Sequence, residues 1–228
     1  MKIKSLLTVG LLLLSFITFG QGFMPGFDIY SHKEPSYLTL QDGTEIEGTV
    51  DKVSRKRNNI SGLRMKVNGE VIEYDPADIK EMYLPANKLN KLSLKLDNSL
   101  NTSMDYDLDM INKGYGFFEN TEVMWGKKVQ TLMMQLVNPS AANKIKVYFD
   151  PMAMETMKMS VSVLSTGGID RSYYIKTDDG PAYKISKANI KKEYKSLFAD
   201  CPSLIKQIGK KLNWKEFDDY IFAHSACK

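Results

Sequence analysis

The chain has 228 residues, 43% of them hydrophobic and 25% charged, with a formal net charge of +4 and a mean hydropathy of −0.30. Those values exclude a disordered chain and a polytopic membrane protein, which sit at opposite extremes of apolar content. Outside residues 1–20 the balance is 29 basic against 27 acidic residues, which leaves no general electrostatic footprint for nucleic acid.

Lys2 and Lys4 precede an apolar run at 6–19, and Thr18 and Gly20 stand three places and one place before a cut after residue 20. This is the pattern of a secretory signal peptide. The run is shorter than the roughly 20 apolar residues that a spanning helix needs. Cleavage after Gly20 is therefore expected, giving an exported chain that starts at Gln21 and keeps no transmembrane segment. Its place is the periplasm, the outer membrane by association, or the medium. No cysteine lies near the cut, so a lipid anchor on an N-terminal cysteine is not available.

Residues 21–36 hold Pro25, Gly26 and Pro35 with little periodicity, which predicts a leader segment draped on the surface. Strand patterns then cover 37–40 and 44–53, joined by Asp42-Gly43, and 63–67 and 70–74, joined by Asn68-Gly69. Both dipeptides are hairpin signals, because a type I′ turn needs positive φ at its two central residues. Two hairpins so close together predict a small antiparallel sheet, curled to hide its edges. The stretch Tyr-Leu-Thr-Leu-Gln-Asp-Gly-Thr-Glu-Ile-Glu-Gly at 37–48 resembles the opening hairpin of small SH3-like or Sm-like barrels. That resemblance implies a barrel over 37–84; the nucleotide-binding residues of Sm-like proteins have no counterpart here.

The connector at 85–114 reads two ways. Leu92, Leu94 and Leu96, and Met104, Tyr106, Leu108 and Met110, alternate with polar residues as in strands, while Leu89, Leu92 and Leu96 also fit a helical stripe. Strands are predicted again at 115–118, 122–125, 129–137, 144–149, 159–164, 172–177 and 182–185. They form a second antiparallel sheet. Ser186 can then cap a helix whose Ile190, Tyr194, Leu197 and Phe198 make one apolar face. Residues 115–228 thus run from sheet to helices, and the whole is an α+β chain.

Several motifs carry a further likeness: the Asp42-Gly43 hairpin, Gly-Tyr-Gly-Phe-Phe-Glu-Asn at 114–120, Lys-Val-Tyr-Phe-Asp-Pro at 146–151, Ser-Tyr-Tyr-Ile-Lys at 172–176 and Asp-Cys-Pro at 200–202. With these the mature chain resembles a group of uncharacterised exported proteins of Bacteroidota-type Gram-negative bacteria. The resemblance implies export and this architecture, and assigns no chemistry.

The two cysteines, Cys201 and Cys227, border a predicted helical pair. Pro202 suits a first helical position, Leu204, Ile205 and Ile208 share a face, and Gly209 interrupts. Asn213 with Glu216 three residues on reads as a capping box, and Trp214, Phe217, Ile221 and His224 recur at helical spacing. Folded back, the pair brings Cys201 and Cys227 together, and an oxidising compartment joins them in a disulfide. The alternative is a nucleophilic Cys/His site, since His224 lies one turn before Cys227.

Other constellations are read against their bland forms. Asp105, Asp107 and Asp109 open like a calcium loop, but the sixth and twelfth places hold Met110 and Gly116 instead of Gly and Glu. They are expected to be the solvated face of a strand. Met152, Met154, Met157 and Met159 are soft donors suited to Cu(I); no regular element puts them on one face, so apolar filling is the first reading. Lys187, Lys191, Lys192 and Lys195, with Lys206 and Lys210, read as solvated helix faces, or else as a stripe for an anionic lipid or glycan. His32 and His224 are too few for a His-rich metal site or a triad. Asp218 and Asp219 are adjacent and point to different sides of a helix.

The expected function is a non-enzymatic binding or assembly protein of the bacterial cell envelope, working without a cofactor through a sheet surface or edge. Its partner would be an envelope protein or glycan, with Tyr115, Phe117, Tyr173 and Tyr174 as anchors. A periplasmic Cu(I) carrier using the methionine cluster is the alternative. Hydrolysis of an envelope glycan or ester ranks last.

Overall fold

The computed structural model describes residues 22–27, 29–87, 106–153, 172–177 and 180–227. The predicted signal peptide, the 159–164 strand and most of the connector therefore lie outside the described residues. Strands β1 (Pro35–Leu40), β2 (Glu45–Lys56), β3 (Asn59–Val67) and β4 (Glu70–Tyr74) form an antiparallel meander. A 3-10 turn, Pro76–Asp78, then returns the chain as β5 (Ile79–Pro85) to the free side of β1.

Turn chemistry explains the hairpins with one adjustment. Asn68 and Gly69 both have positive φ, 51° and 90°, as a type I′ turn requires. At Asp42-Gly43 only Gly43 has positive φ, 86°. There Leu40 N–H donates to Thr44 O, Gly43 N–H donates to Leu40 O, and Asp42 Oδ1 accepts from Thr44 N–H. The loop is one residue longer than the two-residue turn expected. A third hairpin, β2 to β3, turns on Arg57 and Asn58 at φ 49° and 63° without any glycine; asparagine tolerates this region better than most residues.

The first sheet does not stop at residue 84. Segments 115–118 and 122–125 are one unbroken strand, β6 (Tyr115–Trp125), whose first half pairs with β5 and whose second half pairs with β7 (Lys128–Gln135). The sheet therefore has seven strands in the order β4-β3-β2-β1-β5-β6-β7. A second sheet, β10 (Tyr183–Ser186), β9 (Ser172–Lys176) and β8 (Lys146–Phe149), is also antiparallel. Single bridges join its two edges to the first sheet, Leu136 to Tyr148 and Val123 to Ala182. Strands β6 to β10 thus close a ring that uses the second half of β6.

The leader runs over the sheet with Ile29, His32 and Lys33 exposed and other side chains inserted beneath it. Met24, Phe27 and Tyr30 are buried, because the N-terminal half of β6 is apolar on both faces and needs two covers. Phe27 and Tyr30 meet Phe118 edge-on at centroid distances of 6.2 and 6.0 Å, while Tyr83 and Tyr106 cover Phe117 at 5.1 and 5.0 Å. The close approach depends on Gly116, where a Cβ would lie 2.4 Å from Phe27 Cζ. Gln135 holds the leader as a strand would, accepting from Phe27 N–H and donating to Pro25 O, both at 3.1 Å.

Helix α1 (Leu108–Asn112) replaces the strand expected around Asp107 and Asp109. Asp107 Oδ1 caps it, accepting from Asp109 N–H at 2.8 Å and Met110 N–H at 3.2 Å. Helix α2 (Ile190–Leu197) starts after Asn189, which accepts from Ser186 N–H and Oγ, so Ser186 ends β10 and caps no helix. Helix α3 (Pro202–Ile208) has Pro202 at its start, and helix α4 (Phe217–Ser225) follows a 3-10 turn, Trp214–Glu216, capped by Asn213. One apolar core runs through both sheets and these helices. The disulfide Cys201–Cys227 joins the start of α3 to the end of α4, with Cα atoms 6.0 Å apart.

Candidate functional site

Four places combine polar chemistry with an organised surround. The first is the interior of the β6 to β10 ring. Alternation along β6 puts Glu119, Thr121 and Val123 on one face, toward Lys146 and Tyr148 of β8 and Lys176 of β9. Lys146 Nζ donates to both Glu119 oxygens at 2.9 Å, and Tyr148 OH donates to Glu119 Oε1 at 2.7 Å. Lys176 Nζ donates to Thr121 Oγ1 at 3.0 Å. Burial, and then the Glu119 carboxylate, push the Tyr148 phenol far above its ordinary range. The phenol stays neutral and the carboxylate takes three hydrogen bonds from two donor groups, so the group braces the ring.

The second lies at the end of β8. Asp150 is fully buried, and its Oδ2 accepts from Ser172 Oγ at 2.7 Å and from Lys184 Nζ at 2.6 Å. Its Oδ1 accepts from Met152 N–H at 2.9 Å. Burial and then the Asp150 charge raise the neighbouring Tyr174 phenol to about 12.

The third is the corner beside the disulfide. His224 Nε2 lies 2.5 Å from Asp200 Oδ1, and Lys144 Nζ donates to Asp200 Oδ2 at 2.8 Å. The bonds from Lys144 and His224 hold the Asp200 carboxyl down at about 2. The ordinary aspartate value is about 3.9. A depressed carboxylate contributes stability that is complete above the unfolded value and is lost as pH falls through the folded one. Lys144→Met is accordingly expected to be less stable than the parent at pH 7, with the difference shrinking between about pH 4 and pH 2. The side chain of Asp200 is 53% exposed, so the effect stays under about 1 kcal/mol. Urea titrations at a series of pH values measure it; a difference that grows in acid would refute the assignment.

The fourth is the lip where the Arg57 turn meets the leader. A small open cleft there is lined by Phe27, Tyr30, Arg55, Asn59, Phe118 and Phe149, among others. Arg55 donates to Tyr30 OH at 2.6 Å and to Asn58 O at 2.8 Å, and Asn58 Nδ2 donates to Pro151 O at 3.0 Å.

The sequence-predicted residues fall as follows. Cys201 and Cys227 are bonded to each other, which removes the nucleophilic Cys/His reading. Tyr115, Phe117, Tyr173 and Tyr174 are all buried, so the expected aromatic anchors fill the core, because both faces of their strands are covered. Of the methionine cluster, Met152 is half-exposed, and Met154, Met157 and Met159 lie outside the described residues. So does Asp105, while Asp107 is spent on its helix cap. Among the described residues no group of three or more His, Cys, Asp or Glu side chains is arranged to hold a metal. His32 Nδ1 bonds Val50 O at 2.7 Å, pinning the leader. Lys187, Lys191, Lys192, Lys195, Lys206 and Lys210 are exposed.

The sheet edge expected from the sequence was assigned to no particular strand. Among the described residues strand β4 pairs with β3 alone and ends the seven-stranded sheet. Val71 is 57% and Ile72 38% exposed. Two adjacent apolar residues point to opposite faces of a strand, so Glu-Val-Ile-Glu at 70–73 was itself a sign that one of them meets solvent.

Comparison with protein-family models, with curated proteins and with solved structures gives no match to this chain.

Proposed function

We propose that this chain is an exported, non-enzymatic binding or assembly protein of the bacterial cell envelope that holds a partner polypeptide along β4. The observation that carries the reading is the edge itself. Among the described residues no strand pairs with the outer side of Glu70–Tyr74, which lies beside two exposed apolar side chains. Such an edge accepts an added strand, with main-chain hydrogen bonds giving affinity and alternate side chains giving selectivity. Glu70 and Glu73 flank the apolar pair, which favours a partner strand carrying lysine or arginine opposite them and disfavours acidic ones.

Further support comes from two features. The order β4-β3-β2-β1-β5, with the Pro76–Asp78 turn before β5, is consistent with the strand order expected of an SH3-like barrel and supports that part of the reading. The disulfide suits an oxidising compartment, as does the signal-like opening of the chain. The likeness to exported Bacteroidota-type proteins belongs to the same reading.

The test is site-specific photo-crosslinking in intact cells. A crosslinker at position 71 is expected to give one discrete adduct, and a crosslinker at the exposed Lys191, on a helix outside this sheet, none. The adduct should disappear when Ile72→Lys is added, since a lysine guards the edge. No adduct at 71, or the same adduct from 191, would refute the reading. Intact mass of the native protein should begin at Gln21.

A further inference from the structure

We propose that the partner along β4 is a second copy of this chain, paired antiparallel about a two-fold axis at Ile72 so that the two seven-stranded sheets run on as one. The proposal rests on the reading of β4 as a pairing edge and names its occupant.

The backbone limits the registers. Asn68 and Gly69 make a two-residue turn, and Val67 faces Glu70 across it. Such a turn closes on a hydrogen-bonded pair, and hydrogen-bonded pairs alternate along an antiparallel ladder. Glu70, Ile72 and Tyr74 therefore turn their N–H and C=O groups toward β3, while Val71 and Glu73 turn theirs outward. Two copies of β4 bond only where outward residues meet outward residues, which rules out setting Glu70 against Glu73. Centring the pair on Glu73 would oppose two carboxylates, and centring it on Val71 would set Ile72 against Glu70. Centring it on Ile72 sets Val71 against Glu73, Glu70 against Tyr74 and Ile72 against itself, with no like charges opposed.

Charge and burial favour the same register. On the outer face Arg64 stands opposite Glu73 and Lys66 opposite Val71. The pairing puts Glu73 between Arg64 of its own copy and, across Val71, Lys66 of the second copy, so the cations that this carboxylate favours come from β3 on both sides. On the inner face Ile72 stands opposite Met65, which is fully buried, and is itself 38% exposed. A second Ile72 continues that apolar row and takes both from water. Strand β4 holds no lysine and no proline, and its ladder with β3 has no bulge, so the usual guards of a solvent edge are missing. Five residues a side bury less than a standard interface of about 1,200–2,000 Å², so monomer and dimer should exchange.

The test is sedimentation of the mature chain over a concentration series reaching about 1 mM. Monomer should pass to dimer and to nothing larger, since a two-fold pair uses up the edge. Glu73→Lys should weaken the dimer at least tenfold, and adding Lys66→Glu should recover most of that loss, because the pair across Val71 is restored with its signs exchanged. Ile72→Cys should give a disulfide-linked dimer, the two Cα atoms of such a non-hydrogen-bonded pair being about 4.5 Å apart; Val71→Cys should not. Linkage through 71 in place of 72, monomer at every concentration, or a dimer indifferent to Glu73→Lys would overturn the proposal. The crosslinker at position 71 separates this proposal from the reading beneath it. An adduct of twice the chain mass supports both, a discrete adduct of any other mass keeps the edge and overturns the second copy, and no adduct overturns both.

Discussion

Removing the Cys201–Cys227 disulfide is expected to cost about 3.5 kcal/mol of stability, from the chain-entropy estimate for a 26-residue separation. The bridge restrains the unfolded chain by tying the start of α3 to the end of α4. In the folded state Cys201 is buried at the base of α3, among Phe198, Leu204 and their neighbours. For a chain of this size the loss corresponds to a fall in Tm of about 10 °C. Thermal unfolding of Cys201→Ala/Cys227→Ala against the parent measures it, with the parent under strong reductant as a second route. The two routes should agree. A fall of less than about 2 °C by either would mean that packing alone holds the helical pair, and that the unfolded state gains little freedom when the bridge is absent.

The second large effect is expected at Asp150. Asp150→Ala should cost about 3 kcal/mol, because removing one partner of a buried ion pair leaves the others unmet. Three donors lose their acceptor at once: Ser172 Oγ, Lys184 Nζ and Met152 N–H. The Lys184 side chain is 46% exposed, so its ammonium can recover water, which places the cost at the low end for such pairs. Asp150→Asn keeps an oxygen for Ser172 or Met152 and should cost roughly half as much. The ordering Ala worse than Asn worse than parent separates loss of hydrogen bonds from loss of charge alone. Chemical denaturation of the three proteins reads it directly. An alanine variant within about 1 kcal/mol of the parent would show that Asp150 is not the clasp between β8 and β9.

The two residues stand differently with respect to the pairing edge. The disulfide lies far along the chain from β4, so its loss should lower stability without altering partner selection at the edge. Asp150 sits one residue before Pro151, which takes the bond from Asn58 at the lip of the cleft. Its replacement should therefore loosen the aromatic cleft as well as the second sheet.

The features legible in the sequence are those fixed by local chemistry. Asn68-Gly69 announced its hairpin because positive φ at two successive residues is a backbone demand that few residue pairs meet. Pro202, Gly209 and Asn213 marked helix ends because each answers a particular orphaned backbone group or dihedral angle. Two cysteines at the ends of that helical pair then left one intramolecular pairing. Two antiparallel sheets followed by helices came from the same kind of signal, period-two runs giving way to period 3.6.

Other features were decided by partners distant in sequence. Asn120 and Thr121 look like a break between two strands, yet β6 continues through them, because β5 on one side and β7 on the other supply its ladder. The leader resembles a surface segment until the two apolar faces of Tyr115–Trp125 demand a cover, which Phe27 and Tyr30 provide. For the same reason Tyr115, Phe117, Tyr173 and Tyr174, plausible anchors by residue type, are core. The cleft has no signature along the chain at all: Asn59 reads as a turn residue, and only the meeting of β3, β7 and the leader buries its oxygen beside aromatic rings.

By itself, then, the sequence determined turn positions, helix ends, the cysteine pairing and the succession of sheets to helices, since each depends on dihedral preference or periodicity within a few residues. Tertiary structure alone decided which strands share a sheet, which aromatic faces are covered and where solvent reaches an edge or a cleft, because burial depends on what the rest of the chain brings alongside.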